Sequence, residues 1–171
     1  MKNVVDQNGL DEAIIVALGS NLAGPYTSRE ALLEAALVAF PAEGLQVTHR
    51  SGWWTSAAWP DASAPPFLNG VVLVDAAHDA SAVLSALHRI EASFGRDREV
   101  ANSPRTLDLD LIAYGRQVIS GGLTVPHPRA HERLFVMGPL AEIAPGWRHP
   151  VSGELAVRLA DAAKVGRDAR P

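Results

Sequence analysis

Apolar positions along this chain change their period several times, and each change marks an element. Residues 13–18 form an unbroken apolar run that stops at Gly19-Ser20-Asn21, which predicts a strand buried on both faces. The spacing then lengthens. Leu33, Leu37 and Phe40 make one stripe at helical spacing, Thr27 or Ser28 can cap its start, and Pro41 marks its end. Residues 46–54 alternate loosely and predict a second strand, residues 56–66 are rich in Ala, Ser and Pro and predict a loop, and residues 67–74 return to strand character. Val83, Leu87, Ile90 and Phe94 repeat at helical spacing, behind a capping Asp79 or Ser81 and ahead of a terminating Gly95.

Residues 96–106 have no apolar period and carry Arg96, Arg98 and Arg105, so they predict a surface loop. The strand that follows holds Leu107-Asp108-Leu109-Asp110-Leu111, ending near Tyr114-Gly115, with short extended pieces around Val118-Ile119 and residues 123–125. After Pro126 and Pro128, residues 130–143 predict one or two short helices broken near Gly138-Pro139, and residues 154–163 a last one. The order β-α-β-β-α-β is the ferredoxin-like pattern, an α+β fold with an antiparallel sheet and helices packed around it. One domain is expected over residues 13–163, with polar, flexible ends at 1–12 and 164–171.

Composition narrows the function classes. The chain has 171 residues, of which 47% are hydrophobic and 20% charged, and no apolar run approaches the roughly 18 residues of a membrane span. The start of the chain lacks a basic region followed by an apolar one, so a cytoplasmic protein is expected. The absence of cysteine excludes disulfides, zinc–thiolate sites and thiol catalysis. A formal charge of −4 argues against nonspecific nucleic-acid binding, so a polyanionic ligand must be held by a local cluster of cations. No membrane contact and no obligate protein partner are expected.

Four groups of residues can carry chemistry. Alternation in a strand puts Asp108 and Asp110 on one face and Leu107, Leu109 and Leu111 on the other. Two like charges on one strand face repel, and a divalent cation such as Mg²⁺ relieves this with one or two carboxylates plus water and phosphate. The spacing alone leaves a solvated strand face equally open. Arg96, Arg98 and Arg105 suit a polyphosphate, because guanidinium presents a rigid donor fork. In the run Pro126-His127-Pro128-Arg129-Ala130-His131-Glu132-Arg133, the flanking prolines stiffen the backbone of His127. The His-x₃-His spacing there is a weak zinc signal, given Pro128 and no cysteine. Finally Phe67 and Asn69 share a strand face, so a ring and an amide can read the surface and edge of a flat heterocycle; Thr55 and Phe135 join them as candidates, with a core role as the alternative.

Taken together, Leu18-Gly19-Ser20-Asn21-Leu22, Phe67-Leu68-Asn69-Gly70, Arg89-Ile90-Glu91, Gly95-Arg96-Asp97-Arg98, Pro104-Arg105-Thr106-Leu107-Asp108-Leu109-Asp110, Val125-Pro126-His127-Pro128-Arg129 and Pro139-Leu140-Ala141-Glu142-Ile143-Ala144-Pro145 closely resemble the 6-hydroxymethyl-7,8-dihydropterin pyrophosphokinase family of folate biosynthesis. That resemblance implies transfer of pyrophosphate from ATP to the pterin hydroxymethyl group, with release of AMP. It implies that Asp108 and Asp110 hold two Mg²⁺ ions, that Arg96, Arg105 and Arg98 are lid cations, and that His127 and Arg133 contact the nucleotide phosphates or neighbouring groups. It further implies that Phe67 and Phe135 sandwich the pterin, that Asn69 and the Thr55 segment bind its edge, and that Glu91 is an active-site acid on the ATP side. Three stretches depart from the family pattern: Asn102-Ser103 stand where many members carry Trp-Gly, Thr55-Ser56 where Thr-Pro is usual, and Phe67 where Tyr is frequent.

Overall fold

Seven consecutive buried residues make β1 (Ile14–Ser20) the centre of the sheet. The computed structural model describes residues 7–58, 61–95 and 106–171. β1 pairs antiparallel with β4 (Phe67–Asp75) on one side and with β5 (Asp108–Tyr114) on the other. β4 in turn pairs antiparallel with β2 (Gln46–Arg50) and with β3 (Trp54–Ser56), giving the order β2-β4-β1-β5 with β3 beside β2 along β4. Each crossover leaves room for one antiparallel strand, which is the ferredoxin-like arrangement the periodicity predicts.

Two cores sandwich this sheet. On one face α2 (Arg29–Ala39) and α3 (Ala80–Ser93) pack their apolar stripes on Val16, Leu18, Val72, Leu109 and Leu111. Both helices start at the predicted caps: Ser28 Oγ accepts from Ala31 N–H at 3.0 Å, and Asp79 Oδ1 from Ala82 N–H at 2.8 Å. On the other face α4 (Leu134–Ile143) and α5 (Ala156–Ala162), with Trp147, cover Ile15, Ala17, Val71, Leu73 and Ile112. The short α1 (Gln7–Asp11) adds Leu10 to this second core.

Four details differ from the sequence reading. The strand expected over 46–54 is split into β2 and β3 by residues 51–53, where the Trp53 ring lies over Gly70, on which a Cβ would come within 2.5 Å of it. The Gly138-Pro139 pair does not break its helix; α4 runs through it. Pro139 forfeits one helical hydrogen bond, but burial of Val136, Met137, Leu140 and Ile143 carries the turn. Gly138 is required there by the Trp54 ring, which a Cβ would approach to 2.6 Å. Residues 164–171, expected as a free end, are hydrogen-bonded back onto the domain at Glu132, Leu134, Thr55 and Ala57. Within the start expected to be flexible, Leu10 is buried.

Candidate active site

The strand register builds the site. Asn69 of β4 pairs with Gly19 of β1, and Gly19 pairs with Asp108 of β5, so the three form one row across the sheet. One step along, Val71, Ala17 and Asp110 form the next row on the same face. This is the face that α4 covers further along, where Val71 and Ala17 are core. Toward Gly19 the apolar cover ends and the side chains become chemical. A Cβ on Gly19 would lie 3.4 Å from Asn69 Oδ1 and 3.9 Å from Phe67 Cδ1, so the glycine is a floor over which ring and amide lean. Sequence reasoning did not single out Gly19 as a site residue; its signal was a glycine at the end of a buried strand, a mark of close approach.

Asp108 and Asp110 are half-buried while Leu107, Leu109 and Leu111 are sealed in the α2/α3 core, as the alternation predicts. Between the two aspartates, Leu109 N–H donates to Glu91 Oε2 at 3.1 Å. Glu91 itself is 1% exposed and reaches β5 from α3, on the face opposite the two aspartates. Its placement is that of a brace for the carboxylate-bearing backbone. Among the described residues no group of three or more acidic, His or Cys side chains gathers into a metal cage. Asp108 and Asp110 thus offer, among the described residues, two hard carboxylates on one face of the sheet, a pair whose chemistry suits Mg²⁺, an ion that keeps water and phosphate in its shell.

His127 is docked by the sheet. The β1–β5 register shifts between Ile15 and Val16, skipping Ile112, whose carbonyl accepts from His127 N–H at 2.8 Å. The imidazole Nδ1 accepts from Arg129 N–H at 3.1 Å, which leaves Nε2–H as the donor of the neutral ring. Burial pushes this imidazole below its ordinary value of 6.5; Asp110 opposes the shift, and Arg133, Arg129 and His131 add to it. Arg133, the residue before α4, also sits with its guanidinium carbon 5.8 Å from the centre of the Phe135 ring.

On the β4 side, Asn69 is buried and its Nδ2 donates to Ser56 Oγ at 2.9 Å, which ties the amide to β3. Thr55 pairs with Leu68 and so lies in register with the opposite face from Phe67 and Asn69. Its N–H and C=O are both taken by Arg170, at 2.8 and 3.0 Å. What Thr55 brings to this site is the position of the segment that follows it. Phe67 and Phe135 are both half-buried. Arg96, Arg98 and Arg105, with Asn102-Ser103, lie outside the described residues.

This geometry has relatives. The sequence model of 7,8-dihydro-6-hydroxymethylpterin-pyrophosphokinase matches residues 15–145. A 2-amino-4-hydroxy-6-hydroxymethyldihydropteridine pyrophosphokinase of Synechocystis is 43% identical over 148 residues, covering 85% of this chain and 73% of that protein. A protein of the same name from Pseudomonas aeruginosa is 38% identical over 150 residues, covering 87% of this chain and 91% of its own length. Among solved structures, Plasmodium falciparum HPPK-DHPS with pteroate superposes with a TM-score of 0.69 at 11% identity, over 87% of this chain and 42% of that longer one, which speaks for the fold. No helix among the described residues is long and apolar enough to cross a membrane. With the family match spanning most of its length, and with relatives this similar over most of theirs, the chain belongs to the 7,8-dihydro-6-hydroxymethylpterin-pyrophosphokinase family.

Proposed function

We propose that this chain transfers the pyrophosphoryl group of ATP to the hydroxymethyl oxygen of 6-hydroxymethyl-7,8-dihydropterin, releasing AMP, as a step of folate biosynthesis. One observation carries the reading: a carboxylate pair on β5 and a ring-and-amide pair on β4 face the same way across a glycine floor, Asn69–Gly19–Asp108. A charged ligand and a flat one can thereby lie side by side.

Chemically, the alcohol oxygen bonds to the β-phosphorus and gives up its proton to solvent while the bridge between the α- and β-phosphates breaks, and AMP departs with the bridging oxygen. Little covalent help is needed from the protein, so positioning and charge supply most of the acceleration. Asp108 and Asp110 would hold the Mg²⁺ ions, two by the family pattern, which supply charge neutralisation to the triphosphate. Neutral His127 offers Nε2–H to a phosphate or leaving-group oxygen, and Arg133 adds positive charge beside Phe135. Arg96, Arg98 and Arg105 enter this reading from the sequence as further phosphate partners. Phe67 and Phe135 stack on the pterin, and Asn69 with the segment after Thr55 meets its edge, where an unpaired partner is costly enough to enforce specificity.

The test is product analysis. AMP is expected from ATP only when 6-hydroxymethyl-7,8-dihydropterin and Mg²⁺ are both present. ADP or free phosphate as the product, or no turnover that depends on pterin, would overturn the reading in favour of a phosphohydrolase or a noncatalytic binding protein.

A further inference from the structure

The last nine residues are not used by the reaction just described, yet they touch two of its proposed parts at once. Lys164 N–H and Val165 N–H both donate to Glu132 O, at 3.0 and 2.9 Å, and Val165 O accepts from Leu134 N–H at 2.9 Å. These bonds lay the segment along the start of α4. Gly166 follows with φ +67, a left-handed conformation, and a Cβ there would lie 2.5 Å from Cδ1 of the Phe135 ring. The ring therefore rests directly on the Gly166 backbone. Ala169 N–H then donates to Gly166 O at 2.9 Å, turning the chain, and Ala169 itself is buried. Beyond the turn the segment reaches the other side of the site. Asp168 Oδ2 accepts from Ala57 N–H at 2.6 Å, and Arg170 exchanges both backbone bonds with Thr55.

We infer that residues 163–171 are a strap that sets the distance between the stacking ring Phe135 and the 55–57 segment, and thereby the fit of the pterin, with Gly166 and Asp168 as its positioning residues. The inference rests on the proposed function for the role of the pocket. The physical reason for the strap lies in β3. A three-residue edge strand has few ladder bonds of its own, and its outer side would otherwise be unpaired. From the inside β3 is tied by Asn69 to Ser56 and by Trp54 Nε1, which donates to Glu142 Oε1 on α4. From the outside only the strap, among the described residues, bonds the backbone of Thr55 and Ala57. Phe135 is fixed from below by the same strap, so ring and segment share one reference.

The strap bonds neither aspartate nor His127, and it meets Arg133 only along the backbone, where Val165 pairs beside it, so its loss should act chiefly on the pterin. Gly166→Ala, which strains the backbone and pushes the ring, is expected to raise the KM for 6-hydroxymethyl-7,8-dihydropterin roughly ten- to a hundredfold, with the KM for ATP within about twofold of wild type. Asp168→Ala, at an exposed position where folding is not at stake, should raise the pterin KM several-fold, and Asp168→Asn, which keeps an oxygen for Ala57 N–H, should restore it. The two readings fail differently. A wild-type protein that makes no pterin-dependent AMP sinks the proposed function. A wild-type protein that does make it, while Asp168→Ala leaves the pterin KM unchanged or moves both KM values equally, sinks the strap, whether or not Gly166→Ala folds.

Discussion

The two sides of the candidate site are built in opposite ways. On the β5 side two carboxylates come from one strand, two residues apart, and their direction follows from the pleat alone. On the β3/β4 side, Phe67 and Asn69 share a strand, but Ser56, Phe135 and the Gly166–Asp168 turn come from three other places in the chain and are brought together by packing. A side set by local geometry tolerates change elsewhere in the protein. A side set by assembly can be loosened from a distance, and this is the difference between an aspartate pair that any β5 would present and a ring-to-edge gap that depends on a terminal strap.

Substitutions can break this contrast directly, and the largest effect is expected on the β5 side. Asp108→Asn and Asp110→Asn should each lower turnover by about a hundred- to a thousandfold or more, since a charge that neutralises the transferring group is lost, while circular dichroism and thermal unfolding stay near wild type. Retention of near-native activity by either variant would remove the metal assignment. On the assembled side, Phe135→Ala should raise the pterin KM about ten- to a hundredfold through lost stacking, leaving the ATP KM little changed. Asn69→Ala should act on both levels: the pterin KM rises, and stability falls by about 1–3 kcal/mol because a buried hydroxyl, Ser56 Oγ, loses its partner, as a denaturant titration would register.

Glu91 sharpens the comparison from underneath. Glu91→Leu leaves the Leu109 N–H without its acceptor in the α2/α3 core and should cost about 1–3 kcal/mol in chemical denaturation, whereas Glu91→Gln keeps an acceptor and should cost less. If Glu91→Gln instead abolished turnover with stability intact, the carboxylate would be acting on substrate and not as a brace. The smallest effect concerns pH. His127 and His149 are both held below the ordinary 6.5, in each case chiefly by burial, so the unfolded chain binds more protons than the folded one just below that value. Their contribution to stability is complete above 6.5 and is lost as the pH falls through and below it. Thermal unfolding followed from pH 7.5 to 5 should report a falling Tm, and His149→Gln, remote from the aspartates, should flatten part of that slope.

Much of this was legible in the chain itself where the governing interaction is local. The caps Ser28 and Asp79, the alternation of Asp108 and Asp110 against three leucines, and the shared face of Phe67 and Asn69 each depend on neighbours within four residues. The continuity of α4 through Gly138-Pro139 was not legible, because a helix signal that local propensity rejects was rescued by the Trp54 ring and by burial against the sheet. Nor was the split between β2 and β3, where the Trp53 ring lies over Gly70 of the neighbouring strand β4. Glu91 was legible as an acid of interest but not as a brace for β5, since the N–H it accepts from lies eighteen residues on.

By itself, then, the sequence determined the order of elements, the caps, and the chemistry each strand would carry, because periodicity and capping are decided within a turn or a pleat. Tertiary structure alone decided the row Asn69–Gly19–Asp108, the docking of His127 on a carbonyl freed by a register shift, and the seat of Phe135 on Gly166. Those are contacts between segments from about fifteen to ninety residues apart. Which of many such pairings forms depends on the total apolar area that the sheet and its two helical layers bury together, a quantity no single stretch of the chain contains.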